Sequence, residues 1–173
     1  KWVPYNSGGG YRKWYGNRLW IVDWENSGES IKATGRASVR SEELYFGEMV
    51  GWTDVTSFSQ LGVRYYGTGF LFDASGPAVF PNKKISATSV LGFLGSKVAS
   101  TILQALNPTL HVQAGNIASL PWMSSLINYK SFLETKVLSL IAYSKIDWDS
   151  YETSWDFTEL PLLKSDYYEP TIR

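Results

Sequence analysis

The sequence has no cysteine, a single histidine and no net charge. Without cysteine there is no disulfide framework and no thiolate metal site. A lone His111 cannot build a histidine-rich zinc centre, and any Ser-His-Asp triad would have to run through it alone. No metal site is expected. No uninterrupted apolar run reaches the roughly 18 residues of a membrane span, so no membrane partner is expected. Charged residues at 18% and hydrophobic residues at 44% are globular values, which excludes disorder. A length of 173 residues suits one domain, or one domain with an appendage, and needs no covalent staple to bury a core. The chain opens on Lys1-Trp2-Val3-Pro4 without Met, and is expected to be a segment of a longer protein whose targeting signals would lie outside it.

Aromatic residues make up 16% of the chain, with eight Trp, and glycine occurs 15 times. Both favour a sheet-containing, turn-rich body over a helix bundle. The zero net charge hides an asymmetry. Residues 1–22 carry Lys1, Arg12, Lys13 and Arg18 and no acid, whereas residues 147–169 carry seven acids and only Lys164. Such a chain can present a basic face to a polyanion while its acidic end stays away from it. The same clustering also suits an ordinary solvated surface, and the whole-chain basicity usual for nucleic-acid binding is absent.

Three consecutive glycines, Gly8 to Gly10, predict a flexible loop flanked by Tyr5, Tyr11, Arg12, Lys13 and Trp14. Strands are expected over 19–24, 44–46, 49–52, 63–66, 70–73 and 78–80, with a short helix or irregular segment over 25–33. The period then changes. Val90, Leu91, Leu94, Val98, Ile102 and Leu106 predict one helix over 87–106, capped by Ser86 or Thr88 and stopped by Pro108. Leu110 to Gln113 alternates like a strand, and 115–122 reads as a turn with an extended exit. A second helix is expected over 124–145, followed by the acidic and aromatic string Asp147 to Phe157. The pattern is α+β: a mixed, mostly antiparallel sheet of short strands, then two long C-terminal helices.

Two fragments imitate a methyltransferase site. Tyr65-Tyr66-Gly67-Thr68-Gly69 fits a loose cofactor-loop pattern, and Asn107-Pro108-Thr109-Leu110 begins like an adenine-gripping Asn-Pro-Pro-Tyr motif. A cofactor loop must end a strand and open a helix, and Gly69 leads instead into the strand-like Phe70-Leu71-Phe72. The adenine grip needs an aromatic ring to stack on a flipped base, and Thr109 and Leu110 offer none. The carboxylate pairs Glu42/Glu43, Asp147/Asp149 and Asp156/Glu159 sit beside no nucleophile and base, so no catalytic residue is assigned. Trp20, Trp24 and Trp52 are expected in the core. The basic residues around the glycine loop and along the strand-rich half suit phosphate and groove contacts: Arg12, Lys13, Arg18, Arg36, Arg40, Arg64, Lys83 and Lys84.

Several strings together resemble one family. Lys1-Trp2-Val3-Pro4-Tyr5-Asn6, Gly9-Gly10-Tyr11-Arg12-Lys13-Trp14-Tyr15-Gly16-Asn17 and Val22-Asp23-Trp24-Glu25-Asn26 are similar to a continuous segment of PglX-like adenine-specific DNA methyltransferases of BREX phage-defence and fused restriction-modification systems. Ile102 to Leu110, Gly115 to Pro121 and Asp147 to Phe157 continue the match in order. The resemblance implies a C-terminal target-recognition segment, folded like the recognition domains of type I specificity subunits. It would occupy residues 1–122, with residues 123–173 packing on it or on the parent. The partners it implies are double-stranded DNA and an upstream catalytic domain of the same chain. That domain would bind S-adenosylmethionine and methylate adenine N6 in the bacterial cytoplasm, while this segment itself holds no cofactor. Residues 32–64 match most weakly, where base-reading residues would vary. A carbohydrate- or protein-binding module using exposed aromatics, or a self-contained enzyme, stays open as an alternative reading of the residues. Replacing Arg12 and Lys13 by alanine is expected to weaken DNA binding with little effect on folding.

Overall fold

Short runs of β-branched and aromatic residues give six strands among the described residues, none longer than five residues. The computed structural model describes residues 1–37, 39–56, 60–122 and 128–163. The first sheet has the order β2(Trp20–Asp23), β1(Trp2–Asn6), β5(Leu71–Phe72), with β1 antiparallel to β2 and parallel to β5. The second has the order β4(Arg64–Gly67), β3(Met49–Gly51), β6(Ala78–Val79), antiparallel throughout. The mixed, mostly antiparallel α+β character read from the sequence is present, divided into two small sheets. The first strand is not among those expected from the sequence. Trp2 pairs with Asp23 and Tyr5 with Trp20, so β1 is central to its sheet despite Pro4. The strand expected over 44–46 is instead a 3-10 turn at Glu42–Leu44. Phe46 takes a left-handed conformation there and bonds to Phe70 and Gly69.

The helical period at Val90, Leu94, Val98 and Ile102 is real, but the element is not continuous. It breaks into α2(Ala87–Leu94) and α3(Lys97–Leu106), bent by 65°. Ser96 is extended and its Oγ accepts the Ala99 N–H at 3.1 Å, which starts a new helix there. Gly95 is the corner. The Trp14 ring lies 2.5 Å from where a Cβ would sit, so only glycine lets that ring close over the break. A short helix α1(Glu29–Ala33) comes earlier in the chain, and one helical turn, α4(Ala114–Ala118), follows α3 where a turn with an extended exit was expected. Asn116 accepts the Gln113 N–H at 2.8 Å and opens it.

The long helix is α5(Lys130–Asp149). Its expected start at 124 lies outside the described residues. It packs on α2, which in turn lies on the second sheet. Val50, Trp52, Leu61, Val63, Leu91 and Val137 join in one core. The opposite side of α5 leaves Phe132, Tyr143 and Ile146 exposed. A second cluster, Met49, Tyr66 and Phe70, sits at the other end of β4. Trp52 is in the core as expected, whereas Trp20 is 58% exposed on the edge strand β2 and Trp24 is partly buried. Among the described residues no single helix is long and apolar enough to cross a membrane.

Candidate nucleic-acid interface

The glycine-rich segment is held, not loose. Gly8 donates its N–H to Asn6 Oδ1 at 3.1 Å, Thr53 Oγ1 donates to Gly9 O at 2.9 Å, and Asn17 Nδ2 donates to Gly10 O at 2.7 Å. Trp14 then runs beside β4 as a one-residue parallel bridge, donating to Val63 O at 2.8 Å and accepting from Tyr65 N at 2.9 Å. These bonds satisfy backbone groups that three free glycines would leave to water.

Four of the eight candidate cations gather around this segment and β4. Arg64 opens β4 and is fully buried, at 0% exposure. Its Nε donates to Tyr66 Oη at 3.2 Å, Nη1 to Gly62 O at 2.9 Å and to Arg12 O at 3.4 Å, and Nη2 to Thr53 Oγ1 at 3.0 Å. Arg18 is partly buried. It donates to the carbonyls of Tyr65 and Tyr66 at 3.0 and 2.9 Å, and stacks over Tyr15 at 4.2 Å and Phe70 at 4.9 Å. Desolvation holds Arg18 below its ordinary value, and its buried Nε has no partner among the described residues. Lys13 Nζ donates to Gln60 Oε1 at 2.9 Å and to the Gly95 carbonyl at 3.0 Å, tying the segment to the α2–α3 corner. Desolvation, and then the neighbouring Lys97, lower it.

Arg12 points to the far end of the chain. Its Nη1 donates to Asp147 Oδ2 at 2.7 Å, and its guanidinium lies 4.9 Å from the Trp148 ring and 5.5 Å from Tyr151. Gly16 makes room for this: a Cβ there would meet Trp148 at 3.0 Å, at a φ of +122°. The acidic string is therefore not kept away from the basic segment; it closes onto it. The second half of the clasp is Lys145, which donates to Asp149 at 2.6 Å and to Asp156 at 2.5 Å, 5.2 Å from the Tyr15 ring. Asp166 and Glu169, the last two acids of the 147–169 stretch, lie outside the described residues.

This clasp carries a pH dependence. Desolvation alone would lower Lys145, but the hydrogen bonds it donates to Asp149 and Asp156 outweigh that and hold it above its ordinary value. The same bond holds Asp156 below its ordinary 3.8. A depressed carboxylate contributes stability that is present above 3.8 and lost as pH falls through its folded value. A raised ammonium contributes fully below 10.5, and its share is lost only as pH rises through its folded value. Lys145→Met is therefore expected to flatten the acid limb of a melting-temperature curve below 3.8. An acid limb identical to that of the parent chain would show that the pair contributes nothing.

The other four candidates lie exposed on separate loops. Arg36 and Arg40 lie between α1 and the 3-10 turn at Glu42, and Arg36 borders a cleft of about 370 Å³ with Tyr5, Trp24, Tyr45 and Asp73. Burial and a hydrogen bond to Asp73 push the Tyr5 phenol up, so it stays protonated and can donate. Lys83 and Lys84 occupy the turn after β6, where Asn82 Oδ1 accepts the N–H groups of Lys84 and Ile85 at 2.8 and 3.1 Å. The eight cations thus divide. Arg12, Lys13, Arg18 and Arg64 are woven into the fold, while Arg36, Arg40, Lys83 and Lys84 lie on its surface.

No protein-family model matches the chain. It is 37% identical over 169 residues to the adenine-specific methyltransferase PglX of Lacticaseibacillus casei strain Zhang, covering 94% of this chain and 14% of that protein. It is 34% identical over 166 residues to the adenine-specific methyltransferase BrxX of Escherichia coli O9:H4 strain HS, covering 95% of this chain and 13% of that protein. This chain is homologous to a segment of PglX and BrxX. It spans only about one seventh of the length of these relatives, 14% and 13%.

Within this chain the two imitation motifs have structural roles. Gly67 ends β4, and Gly69, at φ +91°, leads directly into β5 and not into a helix. Asn107 follows α3, donates to His111 O at 2.6 Å and accepts from Thr109 Oγ1 at 2.7 Å, closing its own loop. Nothing along the sequence signals the pair formed by His111 Nδ1 and Asp54 Oδ2 at 2.8 Å, whose members are 57 residues apart. An antiparallel bridge between Val55 and His111 brings them together.

Proposed function

We propose that this PglX-like segment is a non-catalytic, DNA-reading part of an adenine-specific methyltransferase. The observation that carries this reading is similarity along nearly the whole chain to a small part of two adenine-specific methyltransferases. The exposed Arg36, Arg40, Lys83 and Lys84 would contact phosphates and fix the register on duplex DNA, and side chains of the surrounding loops would read groove edges. Residues 1–122 would form the recognition body, with α5 and the acidic string packed on it. A catalytic domain elsewhere in the longer protein would bind S-adenosylmethionine and receive the target adenine once it is extruded from the stack.

Salt-titrated binding of the chain to duplex DNA tests this. Each neutralised phosphate contributes a slope of about 0.9 in log affinity against log salt. Replacing Arg36, Arg40, Lys83 and Lys84 together by alanine is expected to reduce the slope by roughly 2–4 and to leave the melting temperature nearly unchanged. A salt-independent affinity for glycans or peptides that involves the exposed Trp2 and Trp20, with no binding to duplex, would replace the DNA reading with that of an aromatic docking module.

A further inference from the structure

The most deeply buried cation among the described residues has no counter-charge. Where the chain pairs its cations it does so near the surface: Arg12 with Asp147, Lys32 with Glu42, Lys145 with Asp149 and Asp156. Arg64 is fully buried, yet all its acceptors are uncharged oxygens, from Gly62, Arg12, Thr53 and Tyr66. Among the described residues no carboxylate forms an ion pair with it. A buried, unmatched charge is strongly unfavourable, and in a low-dielectric site its field reaches whatever lies beyond the protein wall.

Against Arg64 lies a cleft of about 110 Å³, lined by Gly9, Gly10, Thr53, Thr56, Gly62 and Arg64 itself among others, with no acid among the described residues of its walls. Glycines on both sides expose backbone to whatever enters. The hydroxyl of Thr53 links the layers, accepting from Arg64 and donating to Gly9. Gly9, at a φ of +113°, and Gly10 are exposed along one side of the cleft, which leaves their backbone open to a ligand.

We propose that this cleft binds a single phosphate group, with Arg64 as the fixed charge beneath it. Having no exposed surface, Arg64 acts through its field and by holding the loop, while the loop backbone makes the contact. The proposal deepens the DNA-reading function, on which it rests in one respect: the phosphate comes from the duplex backbone. The site itself does not depend on that source.

The obvious variants at Arg64 would also lose four hydrogen bonds and the loop geometry. Gly10→Glu avoids this. A Cβ at Gly10 meets nothing within 4 Å and its backbone is not left-handed, so the side chain adds an anion beside the cleft without strain. Gly115→Glu is the control, because it adds the same charge at another open position. The probe is inorganic phosphate, titrated against the full chain at constant ionic strength, with thermal melting as readout. The parent chain and Gly115→Glu are expected to show a saturable rise in melting temperature, and Gly10→Glu a response weakened at least about tenfold in apparent affinity, as a like charge beside the site would cause. No saturable response in the parent chain, or an equal response in Gly10→Glu, overturns the site.

A second arm uses duplex DNA, where Gly10→Glu should lower the salt slope by about 0.9, the loss of one phosphate contact. If phosphate binding falls in Gly10→Glu while duplex binding and its slope hold, the site takes free phosphate and its assignment to DNA is overturned. If duplex binding persists but phosphate gives no saturable response, the DNA reading stands and the site falls.

Discussion

Replacing Trp52 by alanine is expected to destabilise the chain by about 3–5 kcal/mol, the range for removing a large buried aromatic. Trp52 is 0% exposed and belongs to the core that links the second sheet, α2 and α3. Its indole N–H donates to Val112 O at 2.6 Å, so the loop after α3 is fastened through the same side chain. Truncation leaves both a cavity and an unpaired carbonyl. Against a usual total stability of about 5–15 kcal/mol, that is a large share of the whole. Urea denaturation should show a lower midpoint at unchanged slope. Trp52→Phe should lose only part of this, because an aromatic ring remains while the hydrogen bond goes. Equal losses in the two variants would mean that packing around the indole contributes nothing.

Arg12→Ala is expected to destabilise the chain by about 1–3 kcal/mol, combining a charge-assisted hydrogen bond with stacking on Trp148. Asp147 is substantially exposed, which places the value toward the lower end. A double-mutant cycle with Asp147→Ala separates the ion pair from the stacking: the coupling should be well below the loss from Arg12→Ala alone. Arg12→Lys should restore little, because an ammonium lacks the flat guanidinium that covers the indole. Loss of DNA affinity with wild-type stability would show that Arg12 is a free contact residue and no part of a clasp. The sequence suggested that Arg12 and Lys13 could be removed with little effect on folding. The bonds to Asp147, Gln60 and Gly95 lead instead to an expected loss of stability.

What could be seen in the sequence was whatever depends on neighbours along the chain. The strands at 20–23, 49–51, 64–67, 71–72 and 78–79 follow from their own residues, and the period from Val90 to Leu106 marks helical structure. The break at Gly95 was hidden because Leu94 and Val98 keep that period across the bend. The ring that demands glycine at the corner comes from Trp14, far earlier in the chain. β1 was hidden by Pro4 and the glycines after it, and its partners, β2 and β5, are set by the fold. The candidate interface was legible only as a set of residue types. Nothing local separates Arg64, which the fold encloses, from Arg36, which it leaves outside. The acidic string read as a solvated tail because its partner Arg12 is 135 residues away.

The latch from Arg12 to Asp147 turns the polypeptide between them into a closed ring. A chain cut short before Asp147 would keep every strand of both sheets and yet leave the Arg12 guanidinium without its carboxylate and without the Trp148 ring. Conversely, anything that levers the last turn of α5 outward must first open that ring. The segment around Arg12 and the last turn of α5 are therefore one mechanical unit, and neither can be pulled without the other registering it.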